Sequence, residues 1–117
     1  MRPEEGDLEA VTAAAPLTLQ LHRDGDDVTV EIVGYVDHST CDNLRGLAHS
    51  VLATGATTVT LDCTRMSFMD SSGLGIVAEL ATYTSSRGGS LTLLRPTPII
   101  RRLLTVTGLD SLVQLQP

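Results

Sequence analysis

The chain has 117 residues, 42% of them hydrophobic, 19% charged and 3% aromatic with no Trp, a composition that fits one globular domain with an aliphatic core. A formal net charge of −6 excludes sequence-independent attraction to nucleic acid or to an anionic membrane, which draws on clustered Lys and Arg, and the scarcity of rings excludes a stacking platform for single strands. Cys41 and Cys63 form neither a CxxC pair nor a secreted framework, and no apolar run reaches the ~18 residues of a membrane span or follows a leader pattern, so the expected compartment is the cytoplasm, with both thiols reduced and no metal.

Residues 1–15 are acidic and Ala-rich without apolar periodicity and are expected to form a flexible tail ahead of a domain spanning 16–117. Leu17, Leu19 and Leu21 alternate with polar residues, as do Val28, Val30 and Ile32, and the cluster Asp24-Gly25-Asp26-Asp27 between them predicts a hairpin. Ser39 or Thr40 can cap a helix whose Leu44, Leu47, Ala48, Val51 and Leu52 share one face, with Gly55 as its stop and Gly46 as an interior weak point. Val59, Leu61 and Cys63 predict a strand, and Thr64–Met69 a loop. Ile76, Val77, Leu80 and Tyr83 predict a helix from Ser72 to about Ser86, ended by Gly88-Gly89. Leu91 and Leu93 start the next strand. Thr97-Pro98 opens a last helix with Ile99, Ile100, Leu103, Leu104 and Val106 as its buried face, and Leu112–Leu115 closes the chain as a short strand. The order β-β-α-β-α-β-α-β describes an α/β fold with a mixed, mostly parallel sheet and an N-terminal antiparallel hairpin, its helices covering one face better than the other.

The segment Asp70-Ser71-Ser72-Gly73-Leu74-Gly75 lies where the chain enters a helix, so backbone N–H groups without intrahelical acceptors and the positive end of the helix dipole meet there. A phosphate on Ser71 would sit in that field, and Gly73 and Gly75 would leave room for another chain to approach. By itself, Asp-Ser-Ser-Gly is also ordinary helix-cap chemistry. Gly73-Leu74-Gly75 is neither a P-loop nor a dinucleotide fingerprint, and the chain has no Lys to reach a terminal phosphate.

The longer stretch Ser67-Phe68-Met69-Asp70-Ser71-Ser72-Gly73-Leu74-Gly75 resembles the signature of STAS domains in bacterial anti-sigma factor antagonists. Gly34-Tyr35-Val36-Asp37 resembles that family's Gly-Glu-Leu-Asp, and Arg87-Gly88-Gly89-Ser90-Leu91 its glycine pair before a strand. Pro96–Leu104 with Thr107-Gly108-Leu109 resembles its closing helix, so the likeness covers about 17–115.

The resemblance implies a single STAS-like domain that is no enzyme and brings no cofactor of its own. Unphosphorylated, it would bind an anti-sigma factor that is also a Ser kinase and thereby free a sigma factor. The kinase, with its own ATP and Mg²⁺, would reverse this by phosphorylation, and a Ser/Thr phosphatase would reset the cycle. By position Ser71 is the phosphoacceptor, Asp70, Ser72, Gly73 and Gly75 support it, and Asp37, His38, Ser71 and Leu74 face the partner. The alternative is an unphosphorylated STAS scaffold or an accessory subunit of a transporter or stress-signalling assembly, with Ser71 a mere cap residue. Tyr35 departs from the family's common Glu. Asp62 reads as an exposed strand-end carboxylate, His22, His38 and His49 lack metal-ligand spacing, and Met66, Phe68 and Met69 read as staple or core residues in preference to a hydrophobic rim that docks a partner.

Overall fold

The computed structural model describes residues 8–14 and 17–117. Its elements are β1 (Leu8–Ala14), β2 (Leu17–Asp24), β3 (Asp27–Val36), α1 (Cys41–Ala53), β4 (Thr58–Met69), α2 (Ser71–Ser86), β5 (Ser90–Leu94), α3 (Pro98–Thr107), a 3₁₀ turn (Leu109–Ser111) and β6 (Gln114–Gln116). They form one six-stranded sheet in the order β1-β2-β3-β4-β5-β6, with β1/β2 and β2/β3 antiparallel and the remaining pairs parallel.

A strand order that rises steadily, joined by right-handed crossovers, puts α1, α2 and α3 on the same side of the sheet. The burial pattern agrees. Leu17, Leu19, Val28, Val30, Ile32, Val59, Leu61, Cys63, Leu91 and Leu93 are buried beneath the helices, while Thr18, Gln20, Thr29, Glu31, Thr60 and Asp62 on the other face remain half-buried. The expected unequal cover of the two faces is therefore present. Desolvation in that core pushes the Cys63 thiol up to about 12, so it stays neutral.

Several features differ from the sequence reading. Leu8–Ala14, assigned to a flexible tail, is a strand paired with β2 through contacts such as Val11↔Gln20; the rest of that tail lies outside the described residues. Pairing satisfies the outer edge of β2, a need that residue propensity in an Ala-rich stretch does not reveal. The loop expected over Thr64–Met69 is instead the second half of β4, which stays paired with β3 because register irregularities between Glu31 and Val33 and between Gly34 and Tyr35 absorb the mismatch. The last strand occupies Gln114–Gln116 rather than 112–115. On α2 the buried face includes Thr84, whereas Tyr83 is exposed with the Arg87 guanidinium 4.0 Å from its ring centroid.

The face predicted for α3 also divides. Thr97 caps the helix, its Oγ1 accepting the Ile100 N–H at 3.3 Å, with Pro98 in the first turn and Gly108 left-handed at φ 79°. Ile100 and Leu104 are buried, but Ile99 and Val106 are 71% and 75% exposed. At 100° per residue, one seam of the helix meets the core and the neighbouring seam points away.

Gly89 has a spatial role. Gly88 supplies the left-handed turn at φ 76°, while a Cβ on Gly89 would overlap the Thr57 carbonyl oxygen. Gly46, in contrast, faces open space, so packing does not require it.

Candidate functional site

The C-terminal ends of the parallel neighbours β3 and β4 form the platform of the site. Tyr35 pairs with Phe68 and Val36 with Met69, and the Asp70 N–H then donates to the Val36 carbonyl at 3.0 Å. In open α/β sheets this carboxyl edge is where binding sites gather. Because β4 is paired up to Met69, Ser71 enters the helix without an intervening flexible loop.

Asp70 is the N-cap of α2, with extended φ −99° and ψ −170°, and its Oδ1 accepts the Ser72 N–H at 2.8 Å. Its carbonyl accepts the Leu74 N–H at 3.1 Å as the first helical rung. The helix thus begins at Ser71, one residue before the expected start, and Ser72 is the capped residue rather than a cap. Asp70→Ala should cost about 1 kcal/mol, the usual worth of an N-cap side chain. Urea titration checks this: the midpoint should fall at an unchanged slope.

Ser71 is exposed at the first helical position and Ser72 is half-buried. The α2 dipole presents its positive end there, and N–H groups of the first turn have no intrahelical acceptor. A hydroxyl here is accessible to an approaching protein and, once phosphorylated, would face partial positive charge on its own chain.

Gly73 and Gly75 differ. Gly73 is buried, and a Cβ there would lie 2.5 Å from Met69 Cγ and 2.8 Å from Val36 Cγ1, so its missing side chain lets the helix seat against β3 and β4 rather than opening the surface to a visitor. Gly75 is exposed, with open space where a Cβ would stand.

Of the residues expected to face a partner, Asp37 is half-buried and His38 exposed, in the turn after β3. Asp37 Oδ1 accepts from Ser39 Oγ at 2.7 Å and from the N–H groups of Ser39 and Thr40 at 2.9 and 3.2 Å. The Ser39 hydroxyl leads in holding its carboxyl below the ordinary range; desolvation opposes it, and the backbone N–H groups of Ser39 and Thr40 and the Thr40 hydroxyl add to the lowering. Thr40 precedes α1, yet its side chain makes no cap bond to the helix; its hydroxyl joins the Tyr35 carbonyl and the Asp37 N–H at 3.0 Å each. Leu74 is 7% exposed and packs in the core, so the structure removes it from the open surface, as the inward face of a helix requires.

Asp62 is not at a strand end, since β4 continues seven residues beyond it; its Oδ1 accepts from Thr64 N and Oγ1 at 3.0 and 2.6 Å. Arg65 lies 3.7 Å from Glu31, and no cluster of three potential metal ligands occurs among the described residues. Nor is any helix there long and apolar enough to cross a membrane.

The apolar rim that the sequence ranked below a staple or core role is present in part. Met66 and Met69 are buried, as a staple or core reading requires, but Phe68 is 51% and its register partner Tyr35 45% exposed. The signal was available in the alternation Met66, Phe68, Met69, which breaks strict period two once the strand becomes irregular.

A mixed sheet with one-sided helical cover and a Ser at a capped helix start are the features of a STAS-type domain. The family model described as Mlab, STAS domain matches residues 19–114, and the chain belongs to that family. An anti-sigma F factor antagonist from Lysinibacillus sphaericus is 29% identical over 85 residues, covering 72% of this chain and 73% of the relative. The anti-sigma factor antagonist SpoIIAA in its unphosphorylated form superposes with a TM-score of 0.72 at 27% identity, over 85% of this chain and 87% of that one. The phosphorylated form of SpoIIAA, a Bacillus cell fate determinant, gives 0.71 at 29% identity, over 85% and 91%.

Proposed function

We propose that this chain is an anti-sigma factor antagonist whose unmodified form binds an anti-sigma factor Ser kinase and whose phosphorylation on Ser71 releases it. The observation that carries the reading is an exposed Ser71 hydroxyl at the first position of a helix capped by Asp70, on a platform formed by two parallel strand ends. Relatives named as anti-sigma factor antagonists, and a similar fold known in phosphorylated and unphosphorylated forms, support it. The chain acts as a binding module: the kinase brings ATP and Mg²⁺, and this chain offers the hydroxyl. A phosphate adds about −1.5 to −2 charges beside Asp70 on a surface the partner must desolvate, while the helix dipole offsets part of the repulsion within the chain. The modification therefore acts on association more than on folding. A Ser/Thr phosphatase completes the cycle.

Intact mass after incubation with each anti-sigma factor kinase of the source genome, ATP and Mg²⁺ tests the assignment. One phosphate is expected on the wild type and none on Ser71→Ala, and Ser71→Asp should weaken binding on the order of tenfold or more, about 1.4 kcal/mol. Equal modification of Ser71→Ala would move the acceptor elsewhere. Absence of modification by every such kinase would favour a scaffold or accessory role.

A further inference from the structure

Six large apolar side chains are exposed among the described residues, and four of them, Tyr35, Phe68, Ile99 and Val106, lie on the ends of β3 and β4 and on α3. Tyr35 and Phe68 are register partners on parallel strands and so point to the same face. Phe68 and Ile99 line one groove between the end of β4 and the start of α3, floored by Met69 and Ile100, with about 700 Å³ of space open to solvent. From Ile99 the strip continues along α3 at the i+4 and i+7 positions, through half-buried Leu103 to Val106. No charged residue lines the groove.

We propose that the Tyr35–Phe68–Ile99–Val106 strip is the anchor by which this chain selects its protein partner, and that the partner surface covering Ser71 presents aliphatic or aromatic side chains to it. The proposal rests on the reading of Ser71 given above and adds the chemistry of recognition. Exposures of 45%, 51%, 71% and 75% leave on the order of 400 Å² of contiguous apolar surface, the scale of patch that marks interaction sites on monomeric proteins. That is about half of the ~800 Å² each partner contributes to a stable interface, so the occupant must extend beyond the strip, and Ser71 follows Phe68 by three residues at the start of α2. The net charge of −6 opposes pairing of two copies of this chain and points to a different protein. Charge lies at the edge of the strip rather than within it: exposed Arg102 borders it on α3 between Ile99 and Val106, while Asp37 Oδ1 and Asp70 Oδ1 accept backbone N–H groups of their own turns, and exposed rim charges add little to affinity. Large side chains in a desolvated centre carry most of the energy of such interfaces.

The test is titration calorimetry of the full chain against each purified anti-sigma factor kinase of the source genome, together with sedimentation equilibrium of the chain alone. Ile99→Asp and Tyr35→Glu should each weaken binding about tenfold or more, with circular dichroism unchanged because both sites are exposed. Tyr83→Glu, twelve residues along α2 from Ser71 or roughly 18 Å, should leave it unchanged. The wild-type Kd should shift less than about threefold as ionic strength rises from ~0.05 to ~0.5 M. If Ser71→Asp weakens binding but the strip variants bind as wild type, or the Kd depends steeply on salt, the strip proposal fails while the switch stands. If the strip variants lose binding and Ser71→Asp does not, the switch fails and the strip stands. A chain that binds no such kinase, or that forms dimers broken by the same two substitutions, overturns the occupant proposed here.

Discussion

Gly89→Ala is expected to destabilise the fold by about 3 kcal/mol or more, lowering the melting temperature by roughly 10 °C for a domain of this length. The added methyl would overlap the Thr57 carbonyl oxygen, a main-chain atom with no rotamer to relieve the clash. That carbonyl also accepts the Ser90 N–H at 3.0 Å, beside the Thr58↔Ser90 pairing that begins the β4/β5 ladder. Relief therefore requires one of two central strands to move. Gly88→Ala provides the contrast: its site has open space, so the expected cost is only the ~1 kcal/mol of a left-handed non-glycine residue. Thermal and urea unfolding of the two variants should rank them in that order. Equal losses would overturn the steric argument for Gly89.

Gly73→Ala should cost about 1–3 kcal/mol through overpacking, because neither Met69 Cγ nor Val36 Cγ1 is the free end of a flexible chain. Gly75→Ala, two residues on and facing open space, should instead stabilise the helix by up to about 1 kcal/mol. The pair separates two meanings of a glycine beside Ser71. If Gly75→Ala gains stability yet loses partner affinity, its hydrogen marks a place of close approach. If affinity is unchanged, the glycine there has no role in docking. A Gly73→Ala protein as stable as the wild type would sink the packing argument.

Much of this architecture was legible from periodicity. Leu17, Leu19, Leu21, Val28, Val30 and Ile32 report their buried face directly because that face is the only apolar one in a one-sided sheet. Thr97-Pro98 and Gly108 mark the ends of α3 through local chemistry that no tertiary contact overrides. What escaped the sequence was set by neighbours. The strand character of Leu8–Ala14 comes from pairing with β2, the extension of β4 to Met69 from irregular pairing with β3, and the identity of the α2 cap from the Asp70 backbone held by Val36. Within the site, the helix start around Asp70 and Ser71 was legible because cap chemistry is local, while the fate of Leu74 and the exposure of Phe68 and Ile99 depend on a few tens of degrees of helix rotation or one step of strand register. Such angles are fixed by the whole core.

The unbroken run of β4 into α2, fastened by the Asp70–Val36 hydrogen bond, has a kinetic meaning. Rigid-body encounter without a conformational step proceeds at roughly 10⁵–10⁷ M⁻¹s⁻¹, and related complexes differ chiefly in how long they last. If Ser71 carries the phosphate as proposed, that group would then act as a timer on residence for a partner meeting this surface, shortening the life of each complex.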